Sequence, residues 1–467
     1  MIKRFLMPAV AAGLLGACAA VPSTAPQVQA VAPASLGLGA ERTPAIAEKW
    51  WTAFGDPQLD NLVDQALTGN PSLAAALARL RAAQAEVSAS RAATYPQLVF
   101  DGQEQRQRLS ANYIIPPPYG GSGQWIGTVQ ANLSWSLDLF GKQDAEIAKA
   151  RASAEAASLD ATAARLALAG AITQAYVALA RAHVLADVAQ DAASQRQGIF
   201  TLTSTRVRTG LETAAAAKVA EVQAAAAQVD LVRANALKEI AVHQIAALLG
   251  RGADAYNIAR PKLNPDALAL PETLPADLLA RRADIAAALA RIDAATAGRE
   301  RARLAFYPDI NLIGSAGWVA LGLDRLFTGA SAQYGAGPAI HLPIFDAGAL
   351  RAKYTGATAQ LDVAVADYNT AVARAVKETA DALTDLKSLH GQAGELTHMR
   401  TAADESYRLT EQRYKSGLSP QLTVLNAQDI VLATRRQDAA LSTDILAARV
   451  TLVMALGGGF TKETSHE

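Results

Sequence analysis

Residues 142–208 read KQDAEIAKARASAEAASLDATAARLALAGAITQAYVALARAHVLADVAQDAASQRQGIFTLTSTRVR. The stretch holds no proline and only two glycines, Gly170 and Gly198. As one continuous helix it would be roughly 100 Å long, about three times the hydrocarbon thickness of a bilayer. An ordinary globular helix runs about 10 to 14 residues. The rod ends at Thr205-Arg206-Val207-Arg208-Thr209-Gly210-Leu211, where Gly210 can take a positive φ and reverse the chain. A second alanine-rich helix, from Thr213 to Leu249, returns from that turn and stops at Gly250.

Upstream of the rod, Leu59, Leu62, Val63, Ala66 and Leu67 recur at helical spacing. Asn70-Pro71 ends that short helix and opens another, from Ser72 to Ala93, which stops at Tyr95-Pro96. Beyond Pro96 the period falls from 3.6 to 2. From Trp125 to Asp138, the residues Trp125, Gly127, Val129, Ala131, Leu133, Trp135 and Leu137 form an apolar face. The alternate residues, among them Gln130, Asn132 and Asp138, are nearly all polar. This is the pattern of a membrane β-barrel strand with lipid outside and water inside. It also suits an amphipathic strand of a soluble sheet. A more polar partner strand is expected from Pro96 to Leu109, across a loop containing Pro116-Pro117-Pro118 and Gly120-Gly121.

The decisive pattern is a repeat. Ala76-Leu77-Ala78-Arg79-Leu80 recurs as Ala288-Leu289-Ala290-Arg291-Ile292, and Tyr95-Pro96-Gln97-Leu98 as Tyr307-Pro308-Asp309-Ile310. Leu139-Phe140-Gly141 returns as Ile344-Phe345-Asp346. The turn Arg206 to Leu211 returns as Arg413-Tyr414-Lys415-Ser416-Gly417-Leu418, and Leu248-Leu249-Gly250 as Ala455-Leu456-Gly457. The offset stays nearly constant. The chain is therefore two copies of helix, strand, strand, long helix, tip turn, long helix. The second long helix is expected from Ala347 to Lys415. Its Val365, Val372, Thr379 and Leu386, interleaved with Leu361, Tyr368 and Ala375, trace a coiled-coil seam. The expected division is 1–17 signal, 18–46 tether, 47–250 first repeat, 251–280 connector, 281–457 second repeat and 458–467 tail.

Composition excludes several function classes. The 43 basic and 43 acidic residues cancel, so nothing points to nucleic acid. Half the residues are apolar while aromatics are only 5%, a balance suited to closely packed long helices. The six histidines are scattered, with no HExxH motif and no cysteine partner, and no Walker loop is present. Gly457-Gly458-Gly459 reads as a helix terminator. No enzyme activity, cofactor or metal is expected. His341 falls on the polar side of a predicted strand and joins Gln130, Asn132 and Asp138 as a candidate pore-lining residue.

The one cysteine is Cys18. Lys3 and Arg4 precede an apolar run from Phe5 to Leu15, too short to span a bilayer but suited to a signal peptide. Leu15-Gly16-Ala17-Cys18 resembles a lipobox, which implies cleavage before Cys18 and lipidation of it. Residue 19 is alanine rather than the aspartate of inner-membrane retention, so by resemblance the destination is the outer membrane. Residues 19–46, with Pro22, Pro26, Pro33 and Pro44, read as an extended tether. No later segment reads as a transmembrane helix, because charges interrupt the long apolar regions.

Four strands per chain cannot close a barrel, and open edges are not tolerated in lipid. Three chains would supply twelve strands, whereas two would make a barrel too tight for a water-filled pore. At this point the sequence resembles the TolC-type outer-membrane efflux factors, within them the OprM and NodT-like lipoproteins. The resemblance rests on the lipobox, on Trp50-Trp51 through Phe54-Gly55-Asp56-Pro57-Gln58-Leu59, on the paired Tyr-Pro strand entries, on Leu139-Phe140-Gly141 and on the two tip turns. It implies a mainly α fold with a small β part. A long α-helical coiled-coil barrel would run on into a twelve-stranded transmembrane β-barrel completed by a homotrimer. It further implies contact with outer-membrane lipid, a periplasmic membrane-fusion adaptor and an inner-membrane RND-type pump, for which the chain is the passive export duct.

Carried over by position, Gly210, Leu211, Gly417 and Leu418 are candidate adaptor-docking tips. Arg413 and Tyr414 match positions that hold such tunnels shut. The acidic constriction of several relatives has no counterpart at Ala216, Thr423 or Asn426. Asp429, nearly a turn further on, is the remaining acidic gate candidate, and the position also suits a solvated helix face. Two other readings stand beside efflux: the outer-membrane component of type I protein secretion, and a lipid-anchored periplasmic coiled-coil protein without a pore.

Overall fold

The computed structural model describes residues 21–32, 36–37, 46–112, 114–252, 257–265, 267–268, 270–271, 273, 275 and 277–461. The signal segment 1–17 and Cys18 lie outside the described residues.

A 3-10 turn at Trp50–Phe54 leads into α1 (Pro57–Gly69) and α2 (Pro71–Ala92). Strands β1 (Gln97–Arg108) and β2 (Gly123–Ser136) follow, then α3 (Lys142–Arg208) and α4 (Ala214–Leu248). The second copy consists of α5 (Ala283–Leu304), β3 (Asp309–Leu321), β4 (Ala332–His341), α6 (Ala349–Lys415) and α7 (Gln421–Ala455). The duplication is exact in helix length. α3 and α6 each have 67 residues, α4 and α7 each 35, and α2 and α5 each 22.

The chain divides into two compact units, each drawing on both copies. The first comprises described residues up to Ala30 with Arg79–Ala157 and Ala287–Tyr368. It holds one antiparallel sheet in the order β1-β2-β3-β4. Its proline-rich N-terminal segment has no regular secondary structure in residues 21–32, and side chains of α5 and α6 hold it. Asp362 Oδ1 on α6 accepts the backbone N–H groups of Gln27 (2.8 Å) and Val28 (3.0 Å). Arg299 Nη2 on α5 donates to the Thr24 carbonyl at 2.9 Å. Carboxylate and guanidinium groups thus satisfy main-chain groups that this proline-punctuated segment cannot pair within itself.

The second unit comprises Val31–Ala78, Ser158–Ala286 and the chain from Asn369. Its principal core packs Trp50, Phe54, Leu59 and Val63 against Ile172, Tyr176, Leu179 and Ile245. The Asp56-Pro57-Gln58 motif has a specific task here. Asp56 caps α1 by accepting from the N–H of Gln58 at 3.0 Å. Its other oxygen accepts from the Tyr176 hydroxyl (2.7 Å) and the N–H of Lys262 (2.8 Å). The Gln58 side chain accepts from the N–H of Ala259 (2.9 Å) and donates to its carbonyl (3.0 Å), as a neighbouring strand would. The motif therefore pins the connector between the copies onto α1 and α3. Burial, followed by the bond to Asp56, pushes the Tyr176 hydroxyl well above its ordinary range.

The side chains of the expected stripe face a packed interior, Leu386 only in part. Val372, Ala375 and Thr379 are fully buried, and Leu361, Val365 and Tyr368 nearly so. α3 is long and apolar enough by composition to cross a membrane, contrary to the expectation that charges exclude it. Its apolar side chains around Ile172 to Leu179 are instead core residues. The triple glycine ends α7 and also makes room: a Cβ on Gly457 would lie 1.8 Å from the Arg281 carbonyl oxygen. Beside it, Arg282 donates to Asp284, to Glu378 (2.9 Å) and to the Ala455 carbonyl (3.0 Å). Burial alone would raise the Asp284 carboxyl, but the Arg282 hydrogen bonds outweigh it and hold the group below its ordinary value.

Candidate functional site

The sheet has two chemically distinct faces, and its register shows how they arise. Gln130 lies opposite Asp101 and Gly317, Asn132 opposite Val99 and Ser315, and Ser134 opposite Gln97 and Ile313. Asn311 continues this face onto Ala339, and Asp309 onto His341. Gln130, Asn132 and His341 therefore share one face, rich in amides and hydroxyls, with Val99, Ile126, Ile313, Val319, Leu321 and Ala339 as its apolar exceptions. Asn132 donates to Asp101 at 2.8 Å, and Gln103, Gln105 and Gln107 form a ladder of side-chain bonds.

The opposite face carries Leu98, Phe100, Val129, Ala131, Leu133, Trp135, Ile310, Leu312 and Trp318. From Ile310 to Trp318 this band covers about 27 Å along the strand. At a tilt of about 40° it stands roughly 21 Å tall, close to the apolar height of an outer-membrane barrel. Trp135 marks one margin, and Trp125 and Trp318 the other. Arg106 sits 5.9 Å over the Trp125 ring, where the strand leaves the band.

Asp138 departs from expectation. The strand ends at Ser136, and Asp138 has left-handed backbone (φ 39°). Its Oδ2 accepts the N–H groups of Gln143 (2.9 Å) and Asp144 (3.0 Å). The α3 N-terminus claims the carboxylate, because unsatisfied helix donors attract an anion. Asp138 is thus a helix cap rather than a member of the polar strand face.

The two hairpin tips have the same geometry. Gly210 and Gly417 both have φ 73°. Leu211 N–H donates to the Arg206 carbonyl and Leu418 N–H to the Arg413 carbonyl, each at 2.8 Å. Gly210 donates to Val207 at 3.0 Å and Gly417 to Tyr414 at 2.9 Å. Both are Schellman closures. A Cβ on either glycine would meet nothing, so the positive φ alone demands glycine. The closures leave Leu211 and Leu418 projecting, 67% and 71% exposed.

Behind the tips, Arg206 lies 5.4 Å over the Tyr414 ring and so joins the two hairpins. The buried Tyr414 hydroxyl and Arg206 Nε have no hydrogen-bond partner among the described residues. The exposed Arg413 contributes its carbonyl to the turn. Asp429 lies on a solvated face, its side chain 57% exposed, and pairs there with Arg196 of α3. The Arg196 side chain is only 4% exposed, and it also donates to Gln223 of α4 at 2.8 Å. Gln428 donates to Gln195 at 3.0 Å beside it. Arg196 thus fastens α3, α4 and α7 together. Sequence reading missed it because its copy-related position is Ala403, so no repeat signal marks it.

The outer membrane efflux protein family model matches residues 62–251 and again 274–458. The chain belongs to the outer membrane efflux protein family. The family match falls once on each copy. The chain is similar to the antibiotic efflux pump outer membrane protein ArpC of Pseudomonas putida, with 30% identity over all of this chain and 98% of ArpC. It is also similar to the crystal structure of the outer membrane protein VceC of Vibrio cholerae, with 31% identity and a TM-score of 0.82 over 89% of this chain and 100% of that one. The Campylobacter jejuni CmeC outer membrane channel shares the fold, with a TM-score of 0.85 at 22% identity over 95% of each chain. The protein is therefore an outer-membrane efflux channel component, and the reading as a poreless periplasmic coiled coil is set aside.

Proposed function

We propose that the chain is the passive outer-membrane duct of a tripartite system. As a homotrimer it would receive drugs or other small toxic compounds from an inner-membrane RND-type pump through a periplasmic adaptor. The observation that carries this reading is the pair of matching tips, each offering one projecting leucine on a rigid turn. An apolar side chain held out by a closed backbone is a preorganised docking point. Arg206 Nε and the Tyr414 hydroxyl, which have no hydrogen-bond partner among the described residues, sit immediately behind it and suit a surface that gains partners in an assembly. Lipid on Cys18 would add an anchor in the outer membrane.

The duct converts no energy. Its hairpins are held by Arg196–Asp429 and Arg206–Tyr414, and a partner that binds the tips better in another hairpin arrangement shifts the chain toward it. Gln130, Asn132 and His341 would line the pore. The names of relatives, including the multidrug resistance outer membrane protein MdtQ of Escherichia coli, favour efflux over type I protein secretion.

Replacing Leu211 and Leu418 together by aspartate tests the reading. Trimers are expected to form normally while export is lost. Export at the wild-type rate would exclude the tips as the docking surface. Deleting the gene is expected to raise drug susceptibility without impairing protein secretion, and the reverse would select the secretion reading.

A further inference from the structure

The apolar side of the sheet changes character along β1. Leu98, Phe100 and Gly102 give way to Glu104, Arg106 and Arg108 on the same side, and the strand is exposed throughout. The register sets Arg106 opposite Trp125 and Arg108 opposite Gly123. The Trp125 ring holds the Arg106 cation at the margin of the apolar band. A Cβ on Gly123 would meet nothing, so open space lies beside Arg108. The two arginines stand about 7 Å apart along the strand. Neither pairs with a carboxylate among the described residues, Glu104 included. Arg325, in the β3–β4 connection, is by contrast already paired with Asp324 at 3.7 Å.

That connection folds back over the same side of the sheet. The Gly322 N–H donates to the Trp125 carbonyl at 2.8 Å. Leu323 and Leu326 cover Gly127, where a Cβ would come within 3.3 Å of both side chains. Phe327 packs edge-on against Trp318 with ring centroids 5.8 Å apart. Leu326 is buried, but Leu323 and Phe327 remain 47% and 72% exposed. An apolar shelf therefore lies next to two cations without an acidic partner. The fold does not require those cations, since the repeat sets Trp318 and Ala320 at the positions related to Arg106 and Arg108.

We infer that Arg106 and Arg108 bind the phosphate groups of a phosphorylated glycolipid in the outer leaflet, with Trp125, Leu323 and Phe327 against its acyl chains. This goes beyond export and stands whichever cargo passes. The site continues the lipid-facing band at the hairpin end of the strands, while α2, α3, α5 and α6 join them at the other end. With the helices on the periplasmic side, the hairpin end reaches the outer leaflet. A guanidinium matches a phosphate with two parallel hydrogen bonds, and basic residues bordering an apolar surface recruit anionic headgroups. A soluble phosphate would gain nothing from the leucine and phenylalanine beside it.

Native mass spectrometry of the purified full-length protein tests this, with diphosphoryl lipid A, its dephosphorylated form and inorganic phosphate as probes. The wild-type protein is expected to retain diphosphoryl lipid A in preference to the other two. R106Q with R108Q is expected to weaken that retention about tenfold, as the loss of a charge-assisted contact would. R325Q is expected to leave it unchanged, because that arginine is already paired. R108Q alone, away from the Trp125 ring, is expected to weaken it severalfold and keeps the test open if the double variant does not assemble. Retention by the variants equal to wild type would overturn the site. Equal retention of the two lipids would show that the phosphates are not read. Inorganic phosphate bound as tightly as the lipid would make the arginines a soluble-anion site, and either result would also overturn the inference.

Discussion

Asp101 has an unusual position among the residues of the sheet. The polar face carries three ionisable side chains: Asp101, Asp309 and His341. Asp309 is neutralised by Lys142 at 2.8 Å and lies opposite His341 at the helical end of the strands. Asp101 is left as the formal charge further along that face, held by Asn132. Charged rings set ion preference in pores, and their reach is about 10 Å in 0.1 M salt. In the proposed pore, D101N is expected to reduce cation preference severalfold, most clearly at low salt. Reversal potentials across an asymmetric salt gradient measure it, and an unchanged ratio would show that Asp101 does not face the conduction path.

A second residue-scale expectation concerns acid. The folded Asp284 carboxyl titrates below its ordinary value of 3.8 because Arg282 holds it charged, despite burial. The stabilisation is therefore complete above the unfolded value. It is lost as pH falls through the lower folded value. D284N is expected to melt lower than wild type at pH 7, with the difference shrinking toward pH 2. A gap that stayed constant down to pH 2 would assign the loss to packing instead.

At the scale of elements, the long helices, tips and strand pairs were legible from the sequence within a few residues. Their signals are local: period, proline, and glycine at a reversal. Residues 142–208 needed no tertiary information, because nothing within them can stop a helix. What was not legible depends on partners distant in sequence. Asp138 fits the strand alternation as well as its neighbours do, and only the nearby helix N-terminus claims it. The partner of the exposed Asp429 was hidden because Arg196 lies more than two hundred positions away. The N-terminal segment read as a tether because its hydrogen-bonding groups are supplied by α5 and α6. Replacing Asp362 by alanine is expected to release that segment. Protease cleavage within residues 21–30 should accelerate severalfold while the melting of the helices is unchanged. Cleavage at the wild-type rate would mean that the Asp362 bonds do not hold it.

At the scale of the whole molecule, the 142–208 rod is one of two equal staves, and each turns at a Schellman tip into a 35-residue return helix. One chain supplies four strands with one largely apolar and one largely polar face, and it leaves both outer edges open. That incompleteness and the family membership lead to the same conclusion: the chain works as part of a closed assembly that conducts. Single-channel recording of the purified, lipid-reconstituted protein tests this most directly. The account predicts discrete conductance steps from trimers, with ion preference altered by D101N. Trimers that insert into the bilayer yet never pass current under any voltage or salt would contradict it.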